Sequence, residues 1–466
     1  MVIKKDIAIL GGGPGGYVAA IRCAQLKMKV VLFEEDALGG TCTNYGCIPT
    51  KYLLHQTKIF SEIAANKKLE GPVSQIVCSW PKVQKEKKVV VDRLVRGVEF
   101  LLQRYGVEIV KARAGLKDER RILARTPDGE KMYQAEKIIL ATGSRPAELP
   151  ILKFNGKEIV TSRETLDFEV VPKKLLVVGA GAIGLELATI YSRLGAEVTV
   201  LEIMPTVLPG CDREMSLRLE RLLKMQGLNI FTQMRIEQSF LNNGKVVLKG
   251  TSLKNQAPFE FEAESLLLAA GRKANSETIH DGRPFVAINE KGCVVVSENL
   301  ETNVAGIYAI GDLIGGKLLA HKAAHEGRAA AVHACGGQET IDRRALPMAV
   351  FTEPEYASVG LTEEEARQAT DKIRIGVFSF QANGRALTMG SSEGQVKIIA
   401  DQNDRLLGAH ILGPSASDLI AELTLALDKG LKVRDVAAAI HIHPTLGEAV
   451  MEAALKVHGE AIHALN

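Results

Sequence analysis

The sequence predicts an α/β chain in which one supersecondary unit occurs twice and an α+β segment closes the C-terminus. Three observations predict it. Near the start, an apolar strand at Asp6–Leu10 runs into Gly11-Gly12-Gly13-Pro14-Gly15-Gly16, then a helix from Tyr17 to about Lys27, then a strand at Val30–Phe33 that ends on Glu34. The same order returns as a strand at Lys174–Val178, Gly179-Ala180-Gly181-Ala182-Ile183-Gly184, a helix to about Leu194 and a strand at Glu197–Leu201 ending on Glu202. From about residue 346 the chain changes character, with strands at Gln395–Ala400 and Leu407–Leu412 and helices at Ser417–Lys429 and Gly447–Val457.

The first unit has a physical reason for each part. Glycines at 11, 13 and 16 let the backbone approach a pyrophosphate at a helix N-terminus, and Glu34 accepts a bond from a ribose hydroxyl. A glycine loop alone is a weak signal; the loop with strand, helix, strand and acid in order is a strong one. The chain therefore reads as two Rossmann-like dinucleotide-binding domains plus a C-terminal α+β domain. In the second copy, a carboxylate at Glu202 accepts the 2′-hydroxyl of NAD and repels the 2′-phosphate of NADP. No arginine pair follows it, so NAD is the expected nucleotide.

Just beyond the first unit lies Gly39-Gly40-Thr41-Cys42-Thr43-Asn44-Tyr45-Gly46-Cys47-Ile48-Pro49-Thr50-Lys51. Residues five apart in a regular helix rise about 7.5 Å. A disulfide needs Cα atoms within about 7 Å. Bringing Cys42 to Cys47 thus requires a bent or frayed helical turn, which Gly46 and Pro49 supply. A helix start and the cation of Lys51 both favour thiolate over thiol. A dithiol beside a dinucleotide is expected to be reactive. The other cysteines of the seven, Cys23, Cys78, Cys211, Cys293 and Cys335, read as reduced, buried thiols. They do not form a secreted disulfide framework, and a cytoplasmic compartment fits.

The intervening elements follow from pattern. Pro81 to Tyr105 reads as a long helix with Val83, Val90, Leu94, Val98 and Leu101 as its apolar stripe and the lysines of 82–88 as its solvated face. Strands are expected at Val107–Val110, Arg121–Ala124, Lys137–Leu140, Ser265–Ala270 and Thr302–Asp312. Small residues at Ala141-Thr142-Gly143-Ser144-Arg145-Pro146, with Pro150, mark a crossover between domains. Asp312, at the end of its strand, is placed to reach a ribitol or ribose hydroxyl.

Composition narrows the class. Lys plus Arg number 58 against 55 Asp plus Glu, a net charge of +3. That balance, with few aromatics, does not point to nucleic acid. No run approaches the roughly 18 to 20 apolar residues of a membrane span, and no charged-then-apolar leader precedes the first strand. Near the end, His443 stands five residues before Glu448, spacing that suits a base and its orienter. His441 makes a His-x-His pair with it, but no third or fourth metal ligand stands nearby, so no metal is expected. His321 and His325 read as packing or surface histidines.

The dithiol segment, both glycine loops, the Ala-Thr-Gly turn, the Gly-Asp strand end and the terminal His-Pro-Thr segment occur in the order of the flavin-dependent pyridine nucleotide-disulfide oxidoreductases. The resemblance covers essentially the whole chain. Gly-Gly-Thr-Cys, Gly-Cys-Ile-Pro-Thr-Lys and the stretch from His443 to Ala454 resemble the dihydrolipoamide dehydrogenase branch most. The resemblance implies an FAD domain in residues 1–149, an NAD domain in 150–275, a central FAD-side segment in 276–345 and an interface domain in 346–466 that makes a homodimer. It implies that Gly11, Gly13, Gly16, Glu34, Lys51, Gly115, Gly143, Asp312 and Ala320 hold FAD. Gly179, Gly181, Gly184, Glu202, Ile236 and Gly271 would hold NAD. Lys51 would pair with Glu186 near the reactive flavin nitrogen, and His443 and Glu448 would face Cys42 and Cys47 of the partner subunit.

The implied reaction is oxidation of a dihydrolipoyl group, free or carried on a protein of a 2-oxoacid dehydrogenase or glycine cleavage complex, through Cys42, Cys47 and FAD to NAD. Departures are modest: Thr43 and Tyr45 stand where the family usually has other residues, and Thr50 where it has Ser. Tyr45, beside the dithiol, bears on the substrate rather than the reaction. The rival readings are another FAD-dependent disulfide reductase, for glutathione or another small disulfide, an NADH diaphorase, and a docking subunit with secondary catalysis. Mercuric reductase fits less well because the tail lacks a cysteine pair, and a single-cysteine NADH oxidase is excluded as a close match by the second thiol.

Overall fold

The computed structural model describes residues 2–66, 68 and 76–466. The chain divides into two compact units. One gathers Met1–Leu53, Ser79–Ala147 and Gly271–Ile341; the other gathers Leu54–Cys78, Glu148–Ala270 and Asp342–Asn466.

The first unit is built on a sheet whose parallel core runs Glu108–Lys111, Val30–Glu34, Val2–Leu10 and Gly129–Leu140, with Ile307–Ala309 beside the last. Pairing Leu10 with both Phe33 and Leu140 aligns three strand ends at one edge, where Gly11 begins. Alternate residues explain why the strands read as continuous apolar runs. Ala8, Leu10, Val31 and Phe33 enter one buried cluster, while Ile7, Ile9, Val30 and Leu32 enter another. A sheet buried on both faces needs apolar side chains at every position.

Most predicted elements are present with shifted bounds. The first helix is Pro14–Gln25, three residues earlier than predicted, because a proline's fixed φ suits the first helical turn. The strand expected at Lys137–Leu140 is the end of Gly129–Leu140, whose first half pairs antiparallel with Arg121–Thr126. The strand expected over 302–312 is only Ile307–Ala309, bracketed by left-handed glycines, Gly306 at φ +83° and Gly311 at φ +71°. The long helix is Trp80–Arg104, but its buried line is Trp80, Lys87, Val91 and Leu102. Lys87 is therefore not on a solvated face: seven residues past Trp80, it completes two turns on the inner side.

The chain leaves this unit through Ser144–Pro146 and re-enters on Arg272–Ala274, and those two strands pair antiparallel. Exit and return are thereby held side by side.

The second unit contains the repeated fold. Its parallel sheet runs Asn229–Phe231, Glu197–Leu201, Lys174–Val178, Ser265–Leu268 and Ile159–Val160, joined by a three-stranded antiparallel sheet, Met234–Asn242, Lys245–Ser252 and Pro258–Ala263. After residue 346 comes a five-stranded antiparallel sheet, Met348–Val350, Glu355–Gly360, Leu406–Gly413, Gln395–Asp401 and Ile373–Ser379. Helices Ala416–Asp428 and Glu448–Val457 bury Ile420, Leu423, Val450 and Ala453 in the same core as Ile398 and Ile411 of that sheet. The α/β class with a C-terminal α+β domain is thus as the sequence predicts.

Candidate active site

The dithiol sits at a helix break. Gly40–Tyr45 is one short helix, Cys47–Ala65 the next, and Gly46 separates them at φ −142°, ψ −114°. A Cβ on Gly46 would lie 2.8 Å from the Thr41 carbonyl oxygen and 3.3 Å from the Cys42 Cα. Only hydrogen at this position lets the two helices fold back far enough for the Cys42 and Cys47 thiols to hydrogen-bond. Both side chains are half-buried. The Cys47 hydrogen bond and burial push the Cys42 thiol up, while the charge of Lys51 pulls it down. At Cys42 a neighbouring thiol and lost solvent outweigh the lysine. Tyr45 donates its hydroxyl to the Asp36 carboxylate.

The first glycine loop is shaped by close contacts. A Cβ on Gly16 would fall 1.8 Å from the Gly11 carbonyl oxygen, and Gly11 itself has φ +104°. Gly12 N–H donates to Glu34 Oε2 at 2.7 Å, and Asp36 N–H donates to Oε1 at 2.7 Å. Burial pushes the Glu34 carboxyl up against the pull of those two bonds. The N-cap, Gly13, offers no side-chain acceptor to the first-turn N–H groups. A Cβ there would meet nothing nearer than Gly40 Cα at 4.0 Å. Uncapped donors facing open space fit a phosphate.

The second loop repeats this geometry bond for bond. Glu202 stands 168 residues after Glu34, the offset that also carries Gly11, Gly13 and Gly16 to Gly179, Gly181 and Gly184. Gly179 has φ +106°, and a Cβ on Gly184 would lie 2.0 Å from its carbonyl oxygen. Ala180 N–H donates to Glu202 Oε2 at 2.7 Å and Met204 N–H to Oε1 at 2.8 Å. Nothing lies within 4 Å of a Cβ on Gly181. This loop too fits a dinucleotide phosphate, with a carboxylate held beside it.

Other predicted positions lie on separate elements of the two units. Asp312 accepts a hydrogen bond from the Ser144 hydroxyl. Gly143, at φ +68°, accepts from Asn275 N–H at 2.9 Å. Ala320 opens the helix Ala320–Ala334. Gly115 lies on Arg113–Leu116, where a Cβ would press on His280 and Asp281 at 3.2 Å. Ile236 sits half-buried on Met234–Asn242 beside a bulge, and Gly271 has φ +128°. Glu186 is buried on Ala182–Arg193 and accepts from Phe351 N–H at 3.0 Å.

Sequence reasoning missed Arg272. Its guanidinium donates to the Ser144 hydroxyl at 2.7 Å and carbonyl at 2.6 Å, and lies 3.8 Å from Asp312. Burial pulls its pKa down, opposed by Asp312 and Cys47. The available signal was a lone arginine directly after the strand-ending glycine, Gly271. Also missed were Lys322 and Glu326. Glu326 accepts from Gly311 N–H at 2.8 Å and Lys322 donates to Gly311 carbonyl at 3.1 Å, fixing the backbone just before Asp312.

In the second unit, His443 Nδ1 meets Glu448 Oε1 at 2.8 Å, and Thr445 N–H donates to Oε2 at 2.9 Å. Although burial works against it, these two bonds hold the Glu448 carboxyl below its ordinary range. With Nδ1 engaged and the side chain 80 % exposed, Nε2 of His443 is free to face a substrate. His441 does not join it; its Nε2 pairs with Glu422 at 3.1 Å. His321 and His325 are exposed on their helix. Among the described residues, no cluster of three or more His, Cys, Asp or Glu side chains could hold a metal, and no helix is long and apolar enough to cross a membrane.

Family comparison agrees with this geometry. Residues 5–327 match the pyridine nucleotide-disulphide oxidoreductase family, and 346–454 match its dimerisation domain. The chain is 42 % identical to a dihydrolipoyl dehydrogenase of Thermus scotoductus, over 99 % of both chains. It is 39 % identical to dihydrolipoyl dehydrogenase 3 of Haloarcula marismortui, over 99 % of this chain and 98 % of the relative. Among solved structures, LpdA from Mycobacterium tuberculosis superposes with a TM-score of 0.87 at 28 % identity, covering 97 % of this chain and 99 % of that one. The HOCl-induced flavoprotein disulfide reductase RclA from Escherichia coli superposes with a TM-score of 0.84 at 27 % identity, covering 96 % and 98 %.

Proposed function

Because the chain belongs to the pyridine nucleotide-disulphide oxidoreductases, we propose that it oxidises dihydrolipoyl groups with NAD through a Cys42–Cys47 disulfide and FAD. The observation that carries this reading is the pair of thiols in hydrogen-bond contact across Gly46, in the same unit as the first glycine loop. Full-length similarity to dihydrolipoyl dehydrogenases at about two-fifths identity supports the substrate class.

The chain's own residues divide the work. One substrate thiol loses its proton to His443 Nε2, and Glu448 steadies the charged imidazole through Nδ1. The substrate thiolate attacks Cys42 Sγ; the Cys42–Cys47 bond breaks and Cys47 leaves as thiolate. The second substrate thiol then attacks the sulfur bound to Cys42, closing the substrate disulfide. Cys42 departs with the proton of that second thiol, which suits a thiol pushed up in pKa, and His443 keeps the first. FAD, when bound, would supply the two-electron chemistry that links the dithiol to hydride transfer to NAD. Gly11, Gly13, Gly16, Glu34, Gly115, Gly143, Asp312 and Ala320 would hold FAD, with Lys51 and Glu186 at its reactive end. Gly179, Gly181, Gly184, Glu202, Ile236 and Gly271 would hold NAD.

The assembly we propose is a homodimer in which His443 and Glu448 of one subunit serve the dithiol of the other, within a reducing, cytoplasmic compartment. An FAD part of 1–149 and 276–345, an NAD part of 150–275 and an interface part of 346–466 would carry these roles. The lipoyl substrate would be free or borne on a 2-oxoacid dehydrogenase or glycine cleavage protein.

Anaerobic titration of the yellow protein with dihydrolipoamide, then NAD or NADP, tests the reading. A long-wavelength charge-transfer band followed by rapid NADH formation, with little NADPH, is expected. A flavin that stays oxidised with dihydrolipoamide yet is reduced by NADH would move the search to other disulfides.

A further inference from the structure

A second pair of thiols lies outside this relay. Cys23 is in the last turn of Pro14–Gln25 and is fully buried; Cys335 caps the C-terminus of Ala320–Ala334 and is partly exposed. They pack in one apolar cluster with Ala19, Ala20, Ala330 and Ala331, and their thiols hydrogen-bond to each other. The two helices approach closely. A Cβ on Gly327 would fall 2.3 Å from the Gly15 carbonyl oxygen, so backbone meets backbone there. Cys23 and Cys335 each stand eight residues beyond that crossing, so the helices run parallel and in step. Small residues between them keep the gap narrow where a disulfide needs Cα atoms within about 7 Å.

We propose that Cys23 and Cys335 form a second redox pair, which a peroxide closes into a disulfide that locks the helix of the first glycine loop to the helix that follows Asp312. The asymmetry of the pair assigns the roles. Cys335, reachable from solvent, is the attacking thiol. Its pKa is lowered by the Cys23 hydrogen bond and, against burial, by Arg22. Its thiolate takes an oxygen from the peroxide, ROOH, releasing the alcohol (water, for hydrogen peroxide) and leaving a sulfenic acid. Cys23, shielded from peroxide but in contact with that sulfur, attacks it, forms the S–S bond and expels water. Two thiols and one peroxide thus give one disulfide, one ROH and one water. An exposed, low-pKa cysteine next to a resolving one is the arrangement of thiol redox sensors. The lock bears on the loop proposed above to hold FAD, so its consequence, though not the disulfide itself, rests on that reading.

The test uses the reduced, desalted holoprotein treated with hydrogen peroxide, denatured in the presence of N-ethylmaleimide and digested without reductant. A cross-linked species joining the tryptic peptides 23–27 and 329–343 is expected, lost on reduction. Recovery of both cysteines as maleimide adducts, or of Cys335 as sulfinic acid with Cys23 still alkylated, would overturn the proposal. Neither outcome depends on the flavin. Thermal release of flavin fluorescence reads the lock: peroxide should raise the release temperature of the parent protein by several degrees more than that of Cys335→Ser. An equal rise in both would remove the lock, whatever the peptide map shows.

Discussion

At the scale of single residues, Gly46 decides whether the dithiol exists. A methyl group there would sit 2.8 Å from the Thr41 carbonyl oxygen, so Gly46→Ala must push the Cys42 helix aside. Displacement of about 1 Å at a reacting group can cost about a hundredfold in rate. Lipoamide-dependent kcat/KM should fall by about that factor, while NADH oxidation by ferricyanide, which bypasses the thiols, should persist. Equal loss of both activities would show that the substitution merely damages the fold. Glu202 gives a second test. Its two oxygens each accept a backbone N–H, which points the carboxylate at the second loop. Glu202→Gln keeps the size and removes the charge that repels a 2′-phosphate. The ratio of kcat/KM for NAD to that for NADP should fall at least about tenfold, as expected for a charged hydrogen bond worth about 1.5–3 kcal/mol; an unchanged ratio would clear Glu202 of selecting the nucleotide. These residues were legible because their types are constrained by local geometry: glycines where a Cβ collides, acids at strand ends. Arg272 and Glu326 were not, because their partners, Ser144 and Gly311, are fixed by tertiary pairing that no local pattern records.

At the scale of elements, the histidines near the C-terminus separate into two different jobs. His441 Nε2 pairs with Glu422 on Ala416–Asp428, tying that helix to the segment that carries His443. The Glu422 hydrogen bond holds the His441 pKa above its ordinary value, burial opposing. A raised folded pKa means the contribution to stability is fully present below the unfolded value of about 6.5. It is lost as pH rises through the folded value. The melting temperature of the parent protein should therefore exceed that of His441→Gln most at mildly acid pH, and the gap should narrow as pH rises past neutrality. A gap that widens with pH would contradict the pairing. Sequence spacing placed His441 and His443 together and left metal binding to be weighed; it could not show that their rings engage different acids, one 19 residues back and one five ahead. Element bounds shifted for equally physical reasons. Pro14 begins a helix because its lost N–H is needless there, and Lys87 is buried because position on the helix, not charge, sets which face turns inward.

At the scale of the whole molecule, the repeated dinucleotide fold was plain because its sequence pattern and hydrogen bonds recur at one offset. The links between distant stretches of the chain were not. Lys397, on the antiparallel sheet, is buried and bonds Asp212 at 3.1 Å, Glu214 at 3.0 Å and Glu363 at 2.7 Å, joining the second dinucleotide fold to the C-terminal domain. Lys397→Met would leave Asp212 buried without its cation, and removing one partner of a buried pair costs about 3–5 kcal/mol. Urea unfolding should show a loss of that order; a loss within experimental scatter would mean that water replaces the lysine. The proposed dimer makes a stricter prediction. If His443 of one subunit serves Cys42 of the other, a Cys42→Ser homodimer and a His443→Gln homodimer are each inactive at both sites. Unfolded together and refolded, they would pair at random, and a mixed dimer would put both lesions in one site and leave the other intact. A two-fold dimer has two equivalent sites, so activity should return to roughly a quarter of the parent's. If each site lay within one subunit, every site in the mixed dimer would carry a lesion and the mixture would stay inactive. The measurement thus separates a shared site from two self-contained ones without requiring any ligand to be seen.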